Sequence, residues 1–223
     1  MDSDFNNAIN SILDGEDNEA LKTITDSPIP SLIEKACFDS VPVLSLIVSA
    51  YRIGKTISET FKLKKLARFL LSFQNGIKDV KRQKFKDRMQ DDKVFARKQL
   101  DYLLIIIERY LQEEKAEVLS KLFLAYLDEK ITWDKFLSYS VSLDFLMIED
   151  IKLLSRFRIS VYPYGNENSS SIARLVVSGF FIEGMPKTGF IEENNALVIK
   201  QPSFREYVLT DDGHIFNECM ENY

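Results

Sequence analysis

The sequence predicts a mainly α protein: a multi-helix body with antiparallel helical hairpins over residues 1–158, then a small α+β module over 159–223. Three observations predict it. Glycine (8) and proline (6) are scarce in 223 residues, so helices can run uninterrupted. Apolar residues recur at helical spacing from Phe61 to Leu146. From about Ile159 the pattern becomes short β-biased runs separated by Gly, Pro and Asn.

Each element has its own signal. Ser3 can cap a helix to Leu13, with Phe5, Ile9, Ile12 and Leu13 on one face and Gly15 behind it. Asp26-Ser-Pro-Ile-Pro30 is a stop, and Ser31 opens a short helix to Phe38. Pro42 suits the first position of the next helix. That helix is apolar almost all round at first, which places it in a core or at a membrane boundary. From Phe61 to Phe73 it is amphipathic. Leu63, Leu66, Phe69, Leu70 and Phe73 share one side, and Lys64, Lys65 and Arg68 cluster opposite, on an expected solvent face.

Residues 79–98 are polar and predict a short helix, a turn near Asp91-Asp92 and the start of a long helix to Leu111. Its stripe of Leu100, Leu103, Leu104, Ile106, Ile107 and Leu111 must be buried. A helix from Glu113 follows, with Leu119, Leu122, Phe123, Tyr126 and Leu127 inside. The short gap between the two predicts an antiparallel hairpin. Thr132 caps another helix, with Trp133, Phe136, Leu137, Val141, Phe145 and Leu146 inside, and Asp150–Phe157 forms one more. In the C-terminal module, Val161–Ser171 is a loop or strand end, Ser169–Ser178 a helix and Gly179 its stop. Strands are expected at Gly179–Glu183, Ala196–Lys200 and Glu206–Thr210, and Asp211 caps a last helix, Gly213–Met220.

Charge is distributed unevenly. The chain is −5 overall, yet residues 52–98 hold fifteen Lys/Arg against five Asp/Glu. Residues 1–40 are net −7 and residues 159–223 net −5. Such a reversal suggests a surface for something anionic, or an internal partner for the acidic ends.

The order Pro42, Tyr51, Gly54-Lys55, Lys64-Lys65-Leu-Ala-Arg-Phe69-Leu70, Lys115-Ala116, Leu122-Phe123, Ala125-Tyr126-Leu127, Phe136 and Asp144 resembles a family of uncharacterised bacterial helical proteins. The resemblance covers roughly 42–213. Helix, strand, hairpin and helix near the C-terminus, with the ending Leu209-Thr-Asp-Asp-Gly213, resemble a winged-helix module. More distantly, the layout is similar to the abortive-infection alpha type of phage-defence protein. The resemblance implies a defence setting and carries over no catalytic residue.

Catalytic signals are weak. His214, the one histidine, stands beside Asp211-Asp212-Gly213, a pattern that helix capping explains. Cys219 is five residues further on, out of helical register with it, and Cys37 and Cys219 match no metal or disulfide spacing. Gly54-Lys55-Thr56 lacks the upstream glycine of a phosphate-binding loop, because position 49 is Ser. Glu113-Glu114 and Asp128-Glu129 read as helix-end carboxylates, and Trp133 as a core anchor.

The expected function is therefore a non-enzymatic interaction or adaptor protein. No metal, cofactor or catalytic residue is expected. The expected contact residues are Lys64, Lys65, Arg68, Lys81, Arg82, Lys84, Lys86 and Arg88, which would meet an acidic protein or an anionic membrane surface. A nucleic-acid-binding regulator is the first alternative, although the candidate recognition helix carries only Arg174. A membrane-acting effector using residues 42–73 is the second. Self-association is left open. The start is polar and acidic and no long apolar run exists, so the expected place is the cytoplasm, or peripherally the inner face of the membrane.

Overall fold

The computed structural model describes residue 22 and residues 57–77, 91–156, 162–163, 169–184, 189–193, 196–200 and 206–222. The expected helices before residue 57 and over 79–90 lie outside the described residues, as do Cys37, Gly54-Lys55-Thr56, Lys81, Arg82, Lys84, Lys86 and Arg88. The described chain is mainly helical, with short strands towards its C-terminal end.

It divides into two compact units, the first ending at Ser140 and the second covering Val141–Asn222. The expected boundary, 158/159, followed the change in composition. The observed one falls earlier because Ile148–Arg156 packs on the helices that follow it.

In the first unit, α1 is Ile57–Gly76, α2 Lys93–Arg109 and α3 Glu114–Leu127, and α4, Trp133–Phe145, runs through the unit boundary. The apolar side of α1 is buried as its spacing requires, through Leu63, Leu66, Phe69, Leu70 and Phe73. It packs chiefly on α3 and also on α2. Phe123 of α3 is the centre of an aromatic cluster, with ring centroids 6.3 Å from Phe69, 5.8 Å from Phe73, 5.9 Å from Tyr126 and 5.6 Å from Phe136. Trp133 stacks on Phe136 at 5.0 Å, an anchor at the start of α4. Thr132 caps that start, its Oγ1 accepting the Lys135 N–H at 3.2 Å.

The end of α2 departs from expectation. The helix stops at Arg109 rather than Leu111, so Leu111 leaves the stripe and is 80% exposed. Tyr110 is buried instead, and its hydroxyl donates to the Ser140 carbonyl at 3.3 Å. On α2 itself Leu103, Ile106 and Ile107 are buried, while Leu104 is half-buried.

The second unit contains α5 (Ile148–Arg156), β1 (Tyr162–Pro163), α6 (Ser169–Val177), β2 (Phe181–Glu183), β3 (Gly189–Glu193), β4 (Ala196–Lys200), β5 (Glu206–Leu209) and α7 (Asp211–Glu221). One antiparallel sheet has the order β1-β5-β2. Pro163 sits in its edge strand, where a missing N–H is tolerated. A separate antiparallel pair joins β3 to β4, with Glu193 opposite Ala196. Strand β1 falls in the stretch expected to be a loop or strand end, whereas β3 was not expected from sequence. Two residues are too few for a periodic signal, and Gly189-Phe-Ile-Glu-Glu does not alternate cleanly.

Helix α7 begins two residues before the expected Gly213, and its cap is Thr210 rather than Asp211. The Thr210 Oγ1 accepts the Gly213 N–H at 3.0 Å and donates to the Gly179 carbonyl at 2.7 Å. Asp211 and Asp212 fall in the first turn, where their charge complements the helix dipole. A Cβ on Gly213 would stand 2.5 Å from the Phe180 carbonyl oxygen and 2.5 Å from Leu209 Cδ1. The Leu-Thr-Asp-Asp-Gly ending is therefore a packing device: Thr ties the helix start to Gly179, and Gly allows the close approach.

Candidate contact surface

The basic side of α1 is not a free face. Lys65 is only 1% exposed. Its Nζ donates to the Glu108 and Tyr110 carbonyls, both at 2.8 Å, and lies 5.1 Å from the Phe61 ring centroid. Those carbonyls stand at the end of α2, where main-chain acceptors have no partner within the helix and the dipole favours a cation. Burial pushes the Lys65 ammonium down to about 8, against the opposing pull of the Glu108 carboxylate.

Its neighbours are paired too. Lys62 binds the Glu108 carboxylate. Lys64 and Arg68 share Glu113 Oε1, at 3.4 and 3.5 Å. The sequence-based expectation of an exposed Lys64–Lys65–Arg68 face is thereby corrected. The 100° projection gives the side of the helix correctly but cannot see that the end of α2 and the start of α3 lie against it. Phe69 and Lys65 are both buried, so α1 is covered on more than its apolar stripe.

In the second unit Asp150 and Arg174 are likewise engaged. Asp150 is fully buried, accepts the Met147 N–H at 2.7 Å and takes Arg174 in a fork, Nε to Oδ2 at 2.6 Å and Nη2 to Oδ1 at 2.7 Å. Burial alone would raise the Asp150 carboxyl, but hydrogen bonds from Arg174, Ser171 and the Met147 N–H outweigh it and hold the carboxyl below its ordinary value. Arg174, the one cation of α6, is thus directed into the protein. On α7, His214 is exposed and Cys219 buried, so the helix does not bring them together. No group of three His, Cys, Asp or Glu side chains suited to a metal occurs among the described residues.

This unit also exposes several large apolar side chains. Phe145 is 63% and Val177 81% exposed, with Val141, Met147 and Ile182 also exposed. Of the residues expected inside α4, Phe136 and Leu146 are buried, together with Tyr139 and Leu143, whereas Val141 and Phe145 are exposed. The Ser142 hydroxyl donates to the Ser178 carbonyl at 3.4 Å. This brings the end of α4 to the end of α6, so Val141 and Phe145 on one helix and Val177 on the other flank a single joint. Sequence periodicity placed α4 correctly and misjudged its buried side, because the residues at the joint belong to two helices 32 or more positions apart.

No family model, curated protein or solved structure matches the chain.

Proposed function

We propose that the chain is a non-enzymatic interaction protein whose contact face lies on the second unit, at the α4–α6 joint, and not on the basic side of α1. The observation that carries this reading is the exposure of Val141, Phe145, Met147 and Val177 around one joint. A folded chain gains by burying such side chains, and a group of them left in water marks a place where another molecule can bury them. The basic side of α1, by contrast, already has its partners within the chain. A contribution from Lys81, Arg82, Lys84, Lys86 and Arg88 to the contact stays part of the proposal, on their charge alone.

The α+β end is read as winged-helix-like. Three short strands in the order β1-β5-β2, a helix ahead of β2 and the Thr210–Gly213 capping after β5 support that reading. Nucleic-acid binding through it is disfavoured. Arg174 is held by Asp150, and phosphate affinity depends on free Lys and Arg. Membrane insertion of 42–73 is disfavoured because the described part of that segment packs its apolar side on α3. No described helix is long and apolar enough to cross a membrane. The phage-defence setting belongs to the proposal only through the resemblance quoted for it.

The test is site-specific photo-crosslinking of the full chain in its native host cells. Phe145→benzoylphenylalanine and Val177→benzoylphenylalanine should each give a discrete adduct with another polypeptide, and Glu117→benzoylphenylalanine, exposed on α3, should not. Equal adduct formation at all three positions, or none at 145 and 177, would refute the reading.

A further inference from the structure

We propose that the outer edge of β4 pairs with the same strand of a second copy of the chain, giving an antiparallel four-stranded sheet in the order β3-β4-β4-β3 about a two-fold axis. The inference goes beyond the interaction reading above and uses none of the residues at the α4–α6 joint. Among the described residues β4 has one hydrogen-bonded neighbour, β3, and the two strands form a sheet of their own. Two strands alone are marginally stable in water, and three or more with an apolar face are needed for independent stability. The register gives this ribbon apolar residues on both faces: Ile191 and Val198 on one, Phe190, Leu197 and Ile199 on the other.

Of the sheet edges among the described residues, that of β4 is the least protected. Strand β1 is two residues long and contains Pro163, and β2 has three residues and ends on Glu183. Strand β3 carries Glu192 and Glu193 side by side. Shortness, proline and charge are the features by which an edge resists further pairing. Strand β4 reads Ala196-Leu-Val-Ile-Lys200, five residues with a single charge at one end.

The same five residues select the occupant. In the antiparallel register that pairs all of them, Val198 stands opposite its own copy, Leu197 opposite Ile199 and Ala196 opposite Lys200. No like charges meet. A parallel, in-register pairing would set Lys200 beside Lys200. Glu193 is the partner of Ala196 within each chain, so the row through Lys200 continues over the second copy's Ala196 to the second copy's Glu193. A lysine and a glutamate of different copies thus flank a small residue, and the two-fold repeats the arrangement. Pairing through β3 instead would set Glu192 diagonal to its own copy, a like-charge neighbour.

Sedimentation velocity of the full-length protein reads the assembly, and wild type should dimerise reversibly by about 0.1 mM. Lys200→Glu should weaken the dimer about tenfold, because symmetry repeats the change, and Glu193→Lys should do the same. The double variant should return to within about threefold of wild type. Within one chain, Glu193 and Lys200 stand at opposite ends of the ribbon, paired with Ala196 and Gly189, so recovery reports a contact between copies. A single variant with a lowered melting temperature is set aside and the other decides. Oxidation of Val198→Cys should give a disulfide-linked dimer and that of Ile191→Cys should not, with wild type as the control for Cys37 and Cys219. This second measurement stands without the charge variants. A monomer at about 0.1 mM, a dimer weakened by neither charge variant, or a double variant no better than the singles would overturn the proposal. So would crosslinking at 191 equal to that at 198. A dimer lost in Val177→Ser but kept in Lys200→Glu would assign self-association to the α4–α6 joint and overturn it as well.

Discussion

Asp150 grips Arg174 through both carboxylate oxygens, at 2.6 and 2.7 Å, and so ties the first turn of α5 to α6. The carboxylate is fully buried while the guanidinium side chain is about one-third exposed. The pair is therefore asymmetric: losing the arginine strands a buried charge, whereas losing the carboxylate leaves a cation that can still reach water.

Arg174→Met should destabilise the protein by about 2–4 kcal/mol, because an uncompensated buried carboxylate is costly. It should also change the acid limb of the stability curve. The folded-state pKa of Asp150 is depressed, so its contribution is present above the unfolded value and is lost as pH falls through the folded one. Urea midpoints measured from pH 7 down to about pH 3 should show a steeper loss in wild type than in Arg174→Met. Parallel curves would mean that the fork contributes nothing to folding.

Phe123→Ala removes the centre of the aromatic cluster and should cost about 3–5 kcal/mol. Leu104→Ala, at a position that the stripe of α2 includes but that is only half-buried, should cost about 1–2 kcal/mol. Chemical denaturation of both variants, with equal slopes, checks the ranking.

The difference shows what the sequence made legible. Helices α1 to α4 and α6 were readable because their apolar spacing and their caps agree, as at Thr132 and Gly179. The faces were less readable, since a helical projection averages over a helix and does not know its neighbours. Leu111 was assigned to a stripe that ends with the helix at Arg109, and Phe145 to a side that lies open. Lys65 was the largest misreading. A lysine opposite an apolar stripe signals solvent unless the end of another helix happens to need a donor there, and nothing local to residues 57–76 reveals the end of α2.

Gly213→Ala should destabilise by about 1–3 kcal/mol, the range for forcing an extra carbon into a packed site. One of the two close atoms is the Phe180 main-chain oxygen, which cannot turn aside as a side chain could. Thr210→Val, which keeps the volume and removes the cap, should cost about 1 kcal/mol. Thermal melts of the two single variants check both values.

The same C-terminal motif closes α3 and α6, with different residues at its left-handed position. After α3, Glu129 has φ 59°, the Glu129 N–H donates to the Tyr126 carbonyl and the Lys130 N–H to the Ala125 carbonyl. After α6, Gly179 has φ 78°, with N–H donation from Gly179 to Val176 and from Phe180 to Leu175. A side chain in this conformation is strained, by roughly 1 kcal/mol. Glu129→Gly should therefore stabilise by about 0.5–1 kcal/mol, and Gly179→Ala should destabilise by a similar amount, since no atom lies within 4 Å of its added carbon. Changes of the same sign in both variants would show that something other than backbone strain decides.

Reversing Lys64, Lys65 and Arg68 together to Glu should unfold the protein or strongly destabilise it, because a buried carboxylate would then face the carbonyls at the end of α2. If these were solvated contact residues, the melting temperature would barely move. Lys65→Met is the finer test. It leaves the Glu108 and Tyr110 carbonyls without their donor, which should cost about 1–3 kcal/mol near neutral pH. The sign of the pH dependence follows from burial. Folded Lys65 releases its proton near pH 8 and the unfolded chain holds it to about 10.5, so between these values the unfolded state carries more protons. Stability should therefore rise with pH across that window, by up to roughly 3 kcal/mol in wild type relative to Lys65→Met. The gain should be absent below pH 7. Guanidinium denaturation of the two proteins at pH 7, 9 and 10.5 reads it directly, and a difference that shrinks with rising pH would mean that Lys65 keeps its charge and is held mainly by Glu108.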